Sequence, residues 1–381
     1  MGINRKYKIG IVCYPTYGGS GVVATELGIA LAKKGHEVHF ISYNQPFRLD
    51  IFSENTFYHE VSVPDYPLFD YAPYELNLTS KLVDVVRHEG LSLLHVHYAI
   101  PHASAAIQAK HILETYGIDI PIVTTLHGTD ITLLGKDKSF KPVIEYAINK
   151  SDAVTAVSAN LITETFSHFS INKKIEMIPN FIDSSLYFQE LNIKLRNKIA
   201  KEEEKILIHI SNFRKVKRVE DVIRVFYNVT KKLPSKLLMI GDGPDRVKAE
   251  RLCRKLKISD MVKFMGKLKS VEMFLSISDV FLLTSTTESF GLVALEAMAS
   301  KVAVISTNAG GIPEVNINGI TGYLSGVGDI KQMSENATKL LSNNILLSKF
   351  KENALKQSLN FNIHNILPLY ENVYDQLLNK K

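Results

Sequence analysis

The chain has 381 residues, with 45 Lys and Arg against 39 Asp and Glu, a formal charge of +6, and 45% apolar residues. That length exceeds one ordinary domain, and that composition excludes a disordered or collagen-like chain. Two distant cysteines, Cys13 and Cys253, exclude a disulfide scaffold or a thiolate zinc site as the organising feature.

In chain order, strand-like apolar runs at 8–13, 37–42, 93–97, 122–126 and 153–157 are separated by segments of helical periodicity such as 22–34 and 80–89. The first run stops at Pro15, too short for a signal segment or a membrane span, and a cytoplasmic protein is expected. The rhythm resumes with runs at 205–209, 236–240, 262–264, 280–283 and 302–306. Alternating strands and helices call for parallel sheets covered on both faces, and two such blocks call for two doubly wound α/β domains. The joint is expected after Pro179-Asn180-Phe181-Ile182-Asp183, because 194–205 is densely charged and without strand character. This gives domains at 1–183 and 184–360 and a terminal helix at 361–381, where Ile363, Ile366, Leu367, Tyr370, Val373, Tyr374 and Leu377 recur at helical spacing. The first domain holds 15 Lys and Arg against 19 Asp and Glu, leaving 30 against 20 for the rest. An anion-binding surface is therefore expected in the second half, although surplus lysines also suit solvated helix faces.

Four motifs carry chemistry. The first strand runs into Tyr14-Pro15-Thr16-Tyr17-Gly18-Gly19-Ser20-Gly21, which opens a helix whose free N–H groups suit an anion. A dinucleotide enzyme needs an acid at the end of the second strand to hold a ribose, and Phe40-Ile41-Ser42-Tyr43-Asn44-Gln45 has none. His95-Val96-His97 puts two imidazoles on one strand face, with His102 and His127 following; a zinc site is conceivable, but histidines hydrogen-bonded to backbone or lining a polar cleft fit better. His127 follows a buried strand, where open α/β sheets collect ligand contacts. Asn212-Phe213-Arg214-Lys215-Val216-Lys217-Arg218 sets four cations between a strand end and a helix start, a diphosphate-like site. Glu288 sits in a loop, and Glu296 falls among apolar helix residues, where a buried carboxylate needs a partner such as a sugar or ribose hydroxyl, unless it is half-exposed or salt-bridged to a lysine.

These motifs, with Gly241-Asp242-Gly243-Pro244 and Ala309-Gly310-Gly311-Ile312-Pro313-Glu314, resemble the retaining family 4 glycosyltransferases of GT-B fold, from about residue 7 to the C-terminus. Segments such as HVHYAIPHA, TLHGTDIT and SNFRKVKRVEDVI resemble the members that glycosylate L-malate in bacillithiol synthesis. The resemblance implies two Rossmann-like domains facing across a cleft and a terminal helix returning to the first domain. It implies UDP-N-acetylglucosamine as donor and L-malate as acceptor, with no cofactor and no metal. Lys217, Arg214 and Asn212 would hold the diphosphate, and Gly19 would approach it from the other domain. Glu288 and the backbone at Phe290, Gly291 and Leu292 would address the sugar, Glu296 the ribose, and the loop through Leu268 the uracil. His127 would reach the donor sugar, making His127, Lys217 and Glu288 the catalytic set. Ser20, Tyr98, Thr124 and Thr129 would hold malate. Two residues depart from the family pattern: Asn212 stands where Arg is frequent, and Lys301 where Gly is frequent.

The rival readings are a nucleotide-cofactor dehydrogenase, a polyanion-binding protein using the positive half, and a family 4 transferase with another acceptor, including a lipid. Around 211–218 only Phe213 is aromatic, which speaks against an RNA platform. Neither nucleic acid nor membrane insertion is expected, and homo-oligomerisation is left open.

Overall fold

The structure is a computed structural model that describes residues 5–16, 19–50, 52–62, 73–133, 137–187 and 190–379. The chain divides into two compact units, Met1–Phe181 with Ile363–Lys381, and Ile182–Asn362. The sequence reading put the joint after 183 and the terminal helix from 361; the chain passes between units at 181–182 and 362–363.

The first unit is built on β1 (Lys8–Val12), β2 (Glu37–Ser42), β3 (Thr56–Glu60), β4 (Leu93–His97), β5 (Ile122–Leu126), β6 (Ala153–Ala156) and β7 (Ile175–Met177). They form one sheet in the order β3-β2-β1-β4-β5-β6-β7, every pair parallel. The second unit uses β8 (Lys205–Ile210), β9 (Ser235–Ile240), β10 (Val262–Gly266), β11 (Val280–Leu283), β12 (Ala303–Thr307) and β13 (Gly322–Ser325), in the order β10-β9-β8-β11-β12-β13, also parallel. Each sheet reverses direction of build-up beside its first strand, between β1 and β4 and between β8 and β11. In open parallel sheets that reversal leaves a crevice at the carboxyl ends of the strands, where ligands bind.

The central strands are predominantly apolar and buried along their length because helices cover both faces. All of β4, β5, β11 and β12 is buried. Several helices begin on side-chain caps: Ser158 Oγ accepts from Leu161 N (3.1 Å), Asp329 from Gln332 N (2.9 Å) and Asn343 from Leu346 N (3.0 Å). The terminal helix, Ile363–Leu378, belongs to the first unit, where Tyr370 and Tyr374 are fully buried and Tyr374 hydrogen-bonds His95. Among the described residues no helix is long and apolar enough to cross a membrane.

Lys301 follows the helix Leu292–Ala299 and adopts φ +57°, the left-handed region that favours glycine, which explains why Gly suits this position. Its ammonium pairs with Glu352 at 3.0 Å.

Candidate active site

In the first unit the residues singled out in the sequence collect beyond the carboxyl ends of β1, β4 and β5. Gly19 precedes the helix Ser20–Lys33 at φ +60°, and a Cβ added there would meet nothing within 4 Å. Among the described residues no side-chain cap is seen on this helix, and its first turn carries no acid, so its leading N–H groups suit an anion. Gly18 lies outside the described residues. Ser20 Oγ hydrogen-bonds the Tyr98 hydroxyl, and Thr129 also bonds that phenol. Burial outweighs these bonds and pushes the Tyr98 phenol up to about 12, so it stays a neutral donor. The Tyr98 ring lies 5.3 Å from that of His127.

Thr124 does not join this group. It is fully buried, and its hydroxyl is bonded at 2.7 Å to Ser151 Oγ, which itself donates to Ala147 O. Its place within β5 makes it a satisfied core residue rather than an acceptor contact. Arg48, a cation of the same unit, is engaged in an ion pair with Glu26.

The histidines form a hydrogen-bonded layer. His127 Nε2 lies 2.7 Å from His97 Nδ1, and His97 stacks on His95 with centroids 4.6 Å apart. His95 is bonded on both ring nitrogens, at 2.7 Å to the Tyr374 hydroxyl and at 2.7 Å to Thr125 Oγ1. His102 Nδ1 donates to the His97 carbonyl. Asp130, fully buried, accepts from Ala99 N (2.9 Å) and Gly128 N (3.1 Å), pinning the two loops that carry Tyr98 and His127.

Burial holds these rings neutral: it pulls His95 and His127 down to about 3, His102 and the second unit's His209 to about 4, and His97 well below 6.5. A folded-state value below the unfolded 6.5 means that the unfolded chain binds more protons, so stability falls as pH drops from 6.5 towards 4. Each ring contributes about 1.4 kcal/mol per pH unit across that window. Asp130, raised by burial to about 6, acts oppositely and favours the fold at low pH, but it is one group against five. The urea midpoint is expected to fall steeply between pH 7 and pH 5; a flat midpoint would refute the neutral-histidine layer.

In the second unit the corresponding group lies beyond β8 and β11. The Lys217 ammonium is ion-paired with Glu288, with side chains only 18% and 14% exposed, and Ser285 Oγ donates to the same carboxylate oxygen at 2.8 Å. Backbone bonds lock the two loops together: Thr286 N donates to Val216 O and Thr284 Oγ1 to Lys217 O, both at 2.8 Å. The glycine-rich turns brace these loops from behind. A Cβ on Gly241 would lie 1.8 Å from Ser211 O, beneath the basic turn. A Cβ on Gly310, at φ +59°, would lie 2.0 Å from Glu288 O. Asn212 and Arg214 are exposed at the turn.

Phe290 is buried against Phe361, Gly291 at φ +96° precedes the helix, and Leu292 is its first residue. Glu296 has the partner that an acid on this helix requires: the buried Tyr187 hydroxyl donates to its Oε1 at 3.0 Å. Leu268 stands half-buried in the loop after β10, at the sheet's edge, outside this hydrogen-bonded group.

Tyr187, Ser285 and Asp130 were not singled out in the sequence. Ser285 precedes Glu288 by three residues, a spacing that could have flagged it; Tyr187 is 109 residues from its partner, and no local pattern reveals it.

The arrangement can bind anions and polyols. Lys217 has three N–H donors, and Glu288 occupies one, leaving two for phosphate oxygens. The carboxylates of Glu288 and Glu296 are held as acceptors for hydroxyl groups.

Comparison with known proteins agrees with this chemistry. Residues 17–186 match the family described as Glycosyltransferase Family 4, and residues 192–357 match Glycosyl transferases group 1. A Bacillus anthracis protein named N-acetyl-alpha-D-glucosaminyl L-malate synthase is 48% identical over 375 residues, 98% of each chain. The crystal structure of a glycosyltransferase from Rickettsia africae ESF-5 superposes with a TM-score of 0.82 at 20% identity, covering 99% of this chain and 100% of its own. Anabaena Alr3699/HepE, solved with UDP and glucose, superposes with a TM-score of 0.81 at 19% identity, covering 97% and 100%. These two likenesses establish the fold.

Proposed function

The chain belongs to the family 4, group 1 glycosyltransferases, and from that premise we propose that it transfers N-acetylglucosamine from UDP-N-acetylglucosamine to the hydroxyl of L-malate, opening bacillithiol synthesis. The observation that carries the acceptor and the sugar is the 48% identity, extending over 98% of both chains, to the Bacillus anthracis synthase.

The second unit holds the donor. Lys217 and Arg214, with Asn212, bind the diphosphate; Glu288 and the backbone at Phe290, Gly291 and Leu292 bind the sugar. Glu296, oriented by Tyr187, accepts from the ribose hydroxyls, and the Leu268 loop borders the uracil. The first unit holds malate with the Ser20, Tyr98 and Thr129 hydroxyls and the uncapped start of the helix Ser20–Lys33. Those helix-start N–H groups offer a dianion favourable contacts within a unit of net negative charge.

In the reaction, the bond between the anomeric carbon and the β-phosphate oxygen of UDP breaks as the malate hydroxyl oxygen bonds to the same face of that carbon. The hydroxyl proton passes to the departing phosphate oxygen, and the configuration is retained. Lys217 and Arg214 stabilise the charge that develops on UDP.

The test is UDP release from UDP-N-acetylglucosamine with L-malate, with other hydroxy acids and with no acceptor. L-malate is expected to accelerate release and to yield the α-linked product by NMR. Release that malate does not stimulate refutes the acceptor assignment while leaving the donor assignment standing.

A further inference from the structure

A second polar cluster lies away from these loops, at the outer edge of the first unit's sheet. His39 on β2 and His59 on the edge strand β3 project from one face, and Glu89 ends the helix Tyr74–Glu89. One ligand atom from each of the three lies within 4.8 Å of the others. We infer that His39, His59 and Glu89 form a binding site for a divalent transition-metal ion of the Zn2+ class.

The tautomers favour it. His39 is fully buried, and its Nε2–H donates to Glu37 Oε1 at 3.0 Å. Glu37 is in turn ion-paired with Lys8 at 2.8 Å. The other nitrogen of His39, Nδ1, therefore presents a lone pair, and it faces His59 Nε2 at 2.8 Å. A carboxylate bonded to the far nitrogen of an imidazole is the usual outer support of a metal-bound histidine.

In the empty site a single N–H bridges the two rings. On binding, the metal replaces that hydrogen, and the His59 proton moves to Nδ1. Two Zn–N bonds of about 2.05 Å at a tetrahedral angle set the nitrogens about 3.3 Å apart, so the rings separate by about half an ångström. Glu89 supplies the third ligand and water the fourth. A carboxylate in the last turn of a helix faces the negative end of the helix dipole, which is unfavourable until a cation is placed there. Two imidazoles and one carboxylate select Zn2+ and its neighbours over Mg2+ or Ca2+, which prefer all-oxygen ligands.

The site is tested by titrating the full chain with Zn2+ alone against a competing chromophoric chelator, in wild type, His59→Gln, Glu89→Gln and the neighbouring control His88→Gln. Wild type is expected to bind one Zn2+ per chain; the first two variants should bind at least tenfold more weakly, and the control should match wild type. His59 and Glu89 are outside the transfer machinery, so malate-dependent UDP release should persist in both variants, which also reports that they are folded. Cobalt(II) added to wild type should show the visible bands of a four-coordinate ion. Absence of saturable 1:1 binding by wild type, or His59→Gln and Glu89→Gln binding as wild type does, overturns the proposal.

Discussion

Lys217→Ala is expected to reduce kcat by about 10²–10³-fold, the scale seen when one preorganised donor to a developing oxyanion is removed. Lys217 is held for that task from two directions: its carbonyl is fixed by Thr284 Oγ1, and its ammonium by Glu288. Because Glu288 occupies only part of the ammonium's donor capacity, a diphosphate is expected to join the pair instead of having to break it. Alanine leaves a partly buried carboxylate facing the incoming phosphate, so repulsion adds to the lost attraction. The measurement is steady-state UDP release with malate saturating, alongside a thermal melt showing that the fold survives. Turnover within fivefold of wild type would remove Lys217 from the reaction.

Gly310→Ala should be nearly as damaging although position 310 contributes no side chain to the chemistry. At φ +59° a Cβ would stand 2.0 Å from Glu288 O, a separation that no packed atoms adopt, so the loop bearing Glu288 has to retreat by about an ångström. A displacement of that size at a positioning group costs about a hundredfold in rate. Gly319→Ala is the matched control: φ is +75°, but nothing lies within 4 Å of the added carbon, so it carries the backbone strain without the collision. Comparing the two by kcat and urea midpoint separates strain from displacement. Equal activity in both would show that the 309–311 turn does not set the position of Glu288.

The sequence revealed the central strands because both their faces are covered, which leaves predominantly apolar runs such as Val280–Leu283. It concealed β3, β7 and β13, and all three are edge strands. With one side open, Thr56–Glu60 reads TFYHE and Ile175–Met177 reads IEM, too mixed or too short for a strand pattern. The same contrast holds at the site. Gly19, Lys217, Glu288 and Glu296 were legible because turn chemistry, charge beside a helix start, and an acid among apolar residues are local signals. Thr124 was misassigned because its neighbours in sequence end at the crevice while its own side chain turns into the core towards Ser151. Tyr187 and the His39–His59 pair stayed hidden because their partners are brought to them only by the fold.

The hydrogen bond from Tyr374 to His95 joins residues 279 apart in the chain, and the whole insert Ile182–Asn362 lies between them. A chain made from its N-terminus therefore finishes its second unit first. Until the segment Ile363–Leu378 emerges from the ribosome, β4 and β5 lack their cover, and His95 lacks the phenol that satisfies one of its ring nitrogens. The half begun first is completed last, and any chain released early would carry a finished second unit and a first unit whose sheet face at His95 and Thr125 is uncovered.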